Sequence, residues 1–325
     1  MRDNFQRELN YLRISVIDRC NLRCAYCMPP GGVVFVPHKE ILRIEEIETI
    51  VQAATAIGVR KIRLTGGEPL LRRGLEGLIR RINSISDITD IAITTNGLLF
   101  PSKAEVLKDA GVRRVNISLD TLRSDRYREI TGGGDLSKAW EGINTALEYG
   151  FHPVKLNTVI MGGFNHDEVV DIARLSLEQP LHIRFIELMP VGKDLDYSVS
   201  RFVTAQTVME QISAQLGELK PAQKPEGSGP AKYYRLPDAV GTIGFITSMS
   251  EHFCHECNRL RLTSTGFLRP CLYGSNEVDL KTPLRQGVDV DGIADLIKVA
   301  VRQKIDRHHM HDGWSDQRMM SQIGG

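Results

Sequence analysis

Apolar and polar residues alternate in six short runs between residues 12 and 190: LRISVI (12–17), KIRLT (61–65), DIAITT (90–95), RVNISLD (114–120), PVKLNTVI (153–160) and LHIRFIEL (181–188). A period of two over such lengths predicts β-strands. Between them, stretches such as IEEIETIVQAATAIG and HDEVVDIARLSLEQ carry apolar residues at helical spacing. Strand followed by helix, repeated, predicts right-handed βαβ units around a parallel sheet. A weak internal repeat agrees: GVRKIRLT from Gly58, GVRRVNIS from Gly111 and GFHPVKLN from Gly150 each stop a helix at glycine and open a strand. Equivalent positions of the repeat hold Arg63, Asn116 and Lys155, then Thr65, Ser118 and Asn157.

Strand parity separates two faces. Leu12, Ile14, Val16, Ile62, Leu64, Val115, Ile117, Leu119, Val154 and Leu156 share one; Arg13, Ser15, Arg63, Thr65, Thr94, Asn116, Ser118, Lys155 and Asn157 share the other. Parallel sheets are normally covered on both faces, and the interior of a packed barrel is apolar. A polar, basic inner face therefore predicts a chamber. The expected fold is α/β, an incomplete (β/α)6 TIM-type barrel with a C-terminal extension that closes it. We expect a barrel over 1–200 and the extension over 201–325. Within the extension, 200–218 reads as a helix, KPAQKPEGSGPAK (220–232) as a Pro/Gly-rich linker or surface loop, KYYRLPD and GTIGFITSM as strands, and 290–304 as a final helix.

Charge and composition narrow the class. The formal net charge of +1 argues against a dedicated polyanion binder while allowing local basic clusters. No apolar run approaches the roughly 18 residues that suggest a membrane span, and MRDNFQRELNYLR lacks the apolar core of a signal peptide. The expectation is a soluble cytosolic protein. Its six cysteines fall into two triplets, which in a reducing compartment favours metal ligation over disulfides.

Cys20, Cys24 and Cys27 follow the first strand in Cx3CxxC spacing, at the end where α/β barrels carry active sites. Thiolates suit zinc or iron–sulfur clusters. Zinc would want a fourth ligand, for which His38 is a candidate; a cubane cluster held by three cysteines leaves one iron open. LTGGEP follows the second strand, with Gly66 and Gly67 letting the backbone approach a ligand and Glu68 able to accept from an ammonium group. Cys254, Cys257 and Cys271 form a CxxC-x13-C triplet, beside which His252 and His255 could complete a zinc knuckle. Arg259 and Arg261 alternate just after it, a pairing suited to phosphates or a purine edge.

Cx3CxxC with Tyr26 before its last cysteine resembles the signature of radical S-adenosylmethionine (SAM) enzymes, and GGEP one unit later resembles their methionine-binding motif. The whole chain resembles the GTP 3′,8-cyclase family, the A-type proteins of molybdenum cofactor biosynthesis, through YLRISVIDRCNLRCAYCMP, KIRLTGGEPLLRR, TTNG, VNISLD, VKLN, FIELMP, CxxCNRLRLT and the terminal QIGG. Ile17 departs from that pattern, where threonine is expected. The resemblance implies two [4Fe-4S] clusters, on Cys20, Cys24 and Cys27 and on Cys254, Cys257 and Cys271. It implies SAM contacts at Tyr26, Gly67, Glu68, Ser118 and Met189. GTP contacts are implied at Arg13, Lys61, Arg63, Thr94, Lys155, Arg184, Arg259, Leu260 and Arg261, and a catalytic tail at Gly324 and Gly325. Parity puts Lys61 on the inner face with Arg63, whereas Arg184 and Met189 have opposite parity and require a bulge or a site at the strand end. The implied reaction is cyclisation of GTP by a 5′-deoxyadenosyl radical, with an external electron donor, a homodimer, and a product passed to cyclic pyranopterin monophosphate synthase.

Two other signals read as ordinary surface: RHHMH (307–311) as an exposed basic segment and LRRGLEGLIRR (71–81) as a solvated basic helix face. The alternatives are a peptide-modifying radical SAM enzyme with an auxiliary cluster, and a zinc-dependent nucleic-acid-binding module.

Overall fold

The computed structural model describes residues 1–28, 32–191, 195–274, 276–308 and 318–323. All six expected strands form: β1 Tyr11–Ser15, β2 Lys61–Thr65, β3 Asp90–Thr95, β4 Arg114–Ser118, β5 Val154–Ile160 and β6 Leu181–Glu187, each parallel to the next. Their apolar face, including Ile14, Leu64, Ile93, Ile117 and Leu156, is fully buried in one core against the surrounding helices, among them Ile44–Ala56, Leu136–Glu148 and Val169–Glu178. The repeat glycines do what the pattern asks. Gly58, Gly111 and Gly150 have φ of +107°, +113° and +66°, a turn that side-chain-bearing residues adopt only under strain.

The extension adds β7 Lys220–Pro221, β8 Lys232–Arg235, β9 Thr242–Ile246, β10 Arg259–Leu262, β11 Phe267–Arg269 and β12 Val278–Asp279. It does so at both edges of the sheet. β9 lies parallel beside β6 and β10 parallel beside β1, giving eight parallel strands flanked by antiparallel β8–β7 and β11–β12. Among the described residues no ladder joins β9 to β10. Loops of the extension that carry Ser228, Ser248, Cys254 and Cys271 line the chamber on this side.

Two expectations need correction. The Pro/Gly-rich stretch is not a linker or surface loop. Glu226 accepts hydrogen bonds from Lys155 Nζ (2.6 Å) and Arg114 Nη1 (3.3 Å), which stand at the N-terminal ends of their strands, and Ser228, Gly229 and Pro230 line the chamber. It forms the chamber's floor. The repeat also does not put Arg63, Asn116 and Lys155 in one row. Asn116 pairs with Lys155, but Arg63 pairs with Ala92 and, through it, with Arg114, two residues away. Strands that tilt around a barrel are staggered in this way.

Candidate active site

One cavity takes in both cysteine triplets and the polar face of the sheet. The first triplet sits on the loop after β1. Arg23 and Ala25 donate their amides to the carbonyls of Thr131 (2.8 Å) and Ile130 (2.9 Å), and a turn closes with Cys27 and Met28 both donating to Cys24 O at 2.9 Å. The thiols crowd: burial first, then neighbouring Cys27, pushes Cys24 well above the usual thiol range. His38, the candidate fourth ligand, is exposed and does not line the cavity.

The glycines of GGEP serve a purpose the sequence reading did not assign. A Cβ on Gly67 would stand 2.2 Å from Arg19 O, and one on Gly66 2.6 Å from Ile17 O. Gly67 and Glu68 donate their amides to the carbonyls of Ile17 and Arg19, both at 2.8 Å. The turn is thus pressed onto the backbone that leads directly into Cys20. Glu68 is buried and accepts from Leu70 N (3.1 Å), Thr95 Oγ1 (2.8 Å) and Asn96 N (2.8 Å). Burial still lifts its carboxyl to about 7. Tyr26 donates its hydroxyl to Asp120 (2.8 Å), a buried carboxyl raised to about 6 by desolvation. Asp120 follows β4 and was missed because a lone acid at a strand end has no motif.

Around the second triplet, burial acts to raise the Cys257 thiol, but Arg259 and then Lys304 bring it down to about 6, so a thiolate is ready at neutral pH. His252 and Cys254 gather with His308, the two imidazoles 3.2 Å apart. His308 is therefore buried and lines the cavity, which corrects the exposed reading of that residue; positions 309–311 lie outside the described residues. His255 instead points outward and pairs with Glu256 at 3.5 Å. All six cysteines are free, and each triplet's thiols face the cavity with no disulfide to compete. This donor set fits two thiolate-bound iron–sulfur clusters.

Arginines fill the space between. Arg13, Arg63, Arg184, Arg259 and Arg261 all line the cavity. Arg63 donates to Tyr11 and to Thr94 Oγ1 (3.2 Å), yet its Nη2 and Arg184 Nε are buried with no hydrogen-bond partner among the described residues. Burial and then Arg261 press Arg13 well below its ordinary value. Such crowded, desolvated cations want a polyanion. Thr94, Ser118, Glu68 and Met189 line the same cavity, as do Asn116 and Asn157; β6 ends at Glu187, so Met189 stands past the strand end and its parity ceases to conflict with Arg184. Three predicted residues sit elsewhere. Lys61 is half-buried at the start of β2 outside the lining, Lys155 turns to the floor, and Leu260 buries its side chain in the apolar core. Gly324 and Gly325 lie outside the described residues, though Met320, five positions from the terminus, lines the cavity.

Lys155 shows that the site is held at the expense of stability. Burial, followed by Arg184 and Arg114, brings its ammonium down to about 6. Its unfolded value is about 10.4, so between these two values the unfolded chain binds more protons and stability rises with pH. Replacing Lys155 by methionine, with Arg114 still serving Glu226, is expected to stabilise the nucleotide-free protein by about 2 kcal/mol at pH 7. It is also expected to flatten the pH dependence between 6 and 9. Chemical denaturation across that range checks both; a destabilised variant with an unchanged slope refutes the assignment.

Comparison with known proteins then decides the family. Residues 14–176 match the Radical SAM superfamily model and residues 181–310 the Molybdenum Cofactor Synthesis C model. The chain is 66% identical to GTP 3′,8-cyclase of Pelotomaculum thermopropionicum, 55% to that of Desulforamulus reducens and 51% to that of Moorella thermoacetica, each over the full length of both chains. The chain belongs to the GTP 3′,8-cyclase family. As a radical SAM protein of this type it uses SAM and a [4Fe-4S] cluster and carries a second cluster in its C-terminal region. Among solved structures, Streptococcus suis SuiB bound to its precursor peptide SuiA matches with a TM-score of 0.62 and 16% identity over 83% of this chain and 61% of that one. This likeness extends to the fold alone. No described helix is long and apolar enough to cross a membrane.

Proposed function

We propose that this cyclase-family chain converts GTP to (8S)-3′,8-cyclo-7,8-dihydroguanosine 5′-triphosphate, the first step of molybdenum cofactor biosynthesis. The observation that carries this reading is the placing of two cysteine triplets at one cavity, with arginine nitrogens between them that have no hydrogen-bond partner among the described residues. The C3′–H bond of a ribose is unactivated, and no side-chain base can break it. Cys20, Cys24 and Cys27 hold the first cluster, which together with SAM supplies a primary carbon radical strong enough to take that hydrogen. Tyr26, Gly67, Glu68, Ser118 and Met189 would position SAM, and Cys254, Cys257 and Cys271 would hold the second cluster, which offers an open iron to the nucleotide.

The chain's own work is placement and exclusion. Arg13, Arg63, Thr94 and Arg184 take the triphosphate, with Lys61 adding to the positive field beneath it and Lys155 gaining its proton as the polyanion enters. Arg259 and Arg261, with the Leu260 backbone between them, orient the nucleotide so that C3′ faces the first triplet and C8 lies within reach of C3′. Bound SAM and nucleotide filling the cavity would keep water away from the radical. Gly324 and Gly325 end a tail that approaches this cavity through Met320 and act on the bound nucleotide. In this reading the barrel, 1–200, generates the radical and the extension, 201–325, recognises GTP. The enzyme is a cytosolic homodimer whose product passes to cyclic pyranopterin monophosphate synthase. Anaerobic incubation of reconstituted protein with SAM, a low-potential reductant and GTP tests the reading by mass spectrometry. It requires GTP-dependent 5′-deoxyadenosine and a product isomeric with GTP; SAM cleavage that leaves GTP intact refutes it.

A further inference from the structure

Two buried cations that line no part of the cavity hold the backbone of the second triplet. Arg7 donates to the carbonyls of Cys254 (2.9 Å), Asp306 (2.7 Å) and Ile305 (2.7 Å), and its charge is met by Asp3 at 2.6 Å. Lys304 differs. Its Nζ donates to the carbonyls of Arg259 (2.9 Å), two residues after Cys257, and Pro270, immediately before Cys271. It is 3% exposed, and among the described residues it has no ion-pair partner. A buried ammonium without a counter-charge is costly, and carbonyl dipoles offset that cost only in part. Burial acts first to lower the lysine's ammonium, and the sulfurs of Cys257 and Cys271, on the segments whose carbonyls it holds, act against that. Three thiolates on a doubly positive iron–sulfur core leave a net negative charge, which would complete the pair.

We propose that Lys304 is the counter-cation of the second cluster, a positioning residue that ties the Cys257 and Cys271 segments together and raises the cluster's reduction potential. The proposal rests on the second triplet holding a cluster, as proposed above. Net charge and hydrogen bonding around a cluster are the levers by which a protein sets its potential.

Three substitutions in the full chain separate position from charge: Lys304→Gln keeps N–H donors without charge, Lys304→Arg keeps charge, and Lys304→Met keeps neither. After anaerobic reconstitution, iron per chain is measured and the second cluster is titrated by electron paramagnetic resonance, the first being recognised by its response to added SAM. The expected results are both clusters with a more negative second midpoint for Lys304→Gln, wild-type behaviour for Lys304→Arg, and loss of about half the iron for Lys304→Met, as expected when one of two equal clusters goes. A Lys304→Gln protein with the wild-type midpoint overturns the proposal, as does a Lys304→Met protein that keeps all its iron or loses both clusters together. If the wild-type chain itself takes up iron for one cluster only, the reading of the second triplet fails instead.

Discussion

Alanine at Gly67 is expected to lower SAM cleavage at least ~100-fold, although it adds one methyl group to a residue that holds no iron. The added Cβ would lie 2.2 Å from Arg19 O and 2.4 Å from Arg19 C, backbone atoms one residue from Cys20, so relief must come from moving the loop that carries the first triplet. Hydrogen bonds from Gly67 and Glu68 to that same backbone would be lost or stretched. A shift of about 1 Å in a reacting geometry is enough for a loss of this size. Iron per chain and 5′-deoxyadenosine formation measure it. Gly77→Ala is the control: a Cβ there meets nothing within 4 Å, and alanine in the helix Leu75–Asn83 should leave activity unchanged. Wild-type SAM cleavage by Gly67→Ala would show that the close packing of turn and loop has no bearing on the site.

Serine at Cys257 is expected to part the two halves of the reaction. The first triplet is untouched, so SAM cleavage in the absence of GTP matches wild type when reductant is supplied, while its stimulation by GTP is lost and cyclised nucleotide falls at least ~10³-fold. Cys257 is the natural choice because Arg259 and Lys304 hold its thiol at about 6; a serine hydroxyl offers no comparable anion. Serine at Cys24, by contrast, should abolish both SAM cleavage and product. Loss of the GTP-independent SAM cleavage as well in Cys257→Ser would argue that the second triplet supports the fold and not the nucleotide. Comparison of 5′-deoxyadenosine with cyclised product across the two variants decides this.

Much of this site was legible in the sequence because strand geometry leaves little choice. A period of two fixes which side chains share a face, and the inner assignment of Arg13, Arg63, Thr94, Asn116 and Asn157 needed only that. The cysteine spacings and GGEP placed the chemistry at the strand ends in the same way. What stayed hidden depends on contacts between segments distant in the chain. The stretch 220–232 has the composition of an exposed linker, and nothing local reveals that Glu226 O meets Lys155 and Arg114. Short His tracts are usually surface, and only the fold brings His308 to His252 and Cys254. Stagger between strands is likewise invisible to a repeat, so the row holding Asn116 and Lys155 excluded Arg63. The glycines of GGEP read as letting the backbone approach a ligand, whereas the structure presses them against the backbone of Ile17 and Arg19.

The central claim is that a radical made at the first triplet takes hydrogen from C3′ of a GTP held between both triplets. GTP carrying deuterium only at C3′, turned over anaerobically with SAM and reductant, tests it most directly through the mass of the 5′-deoxyadenosine released. The account predicts deuterium in that product and its loss from the cyclised nucleotide. Unlabelled 5′-deoxyadenosine beside a nucleotide that keeps its deuterium would contradict it.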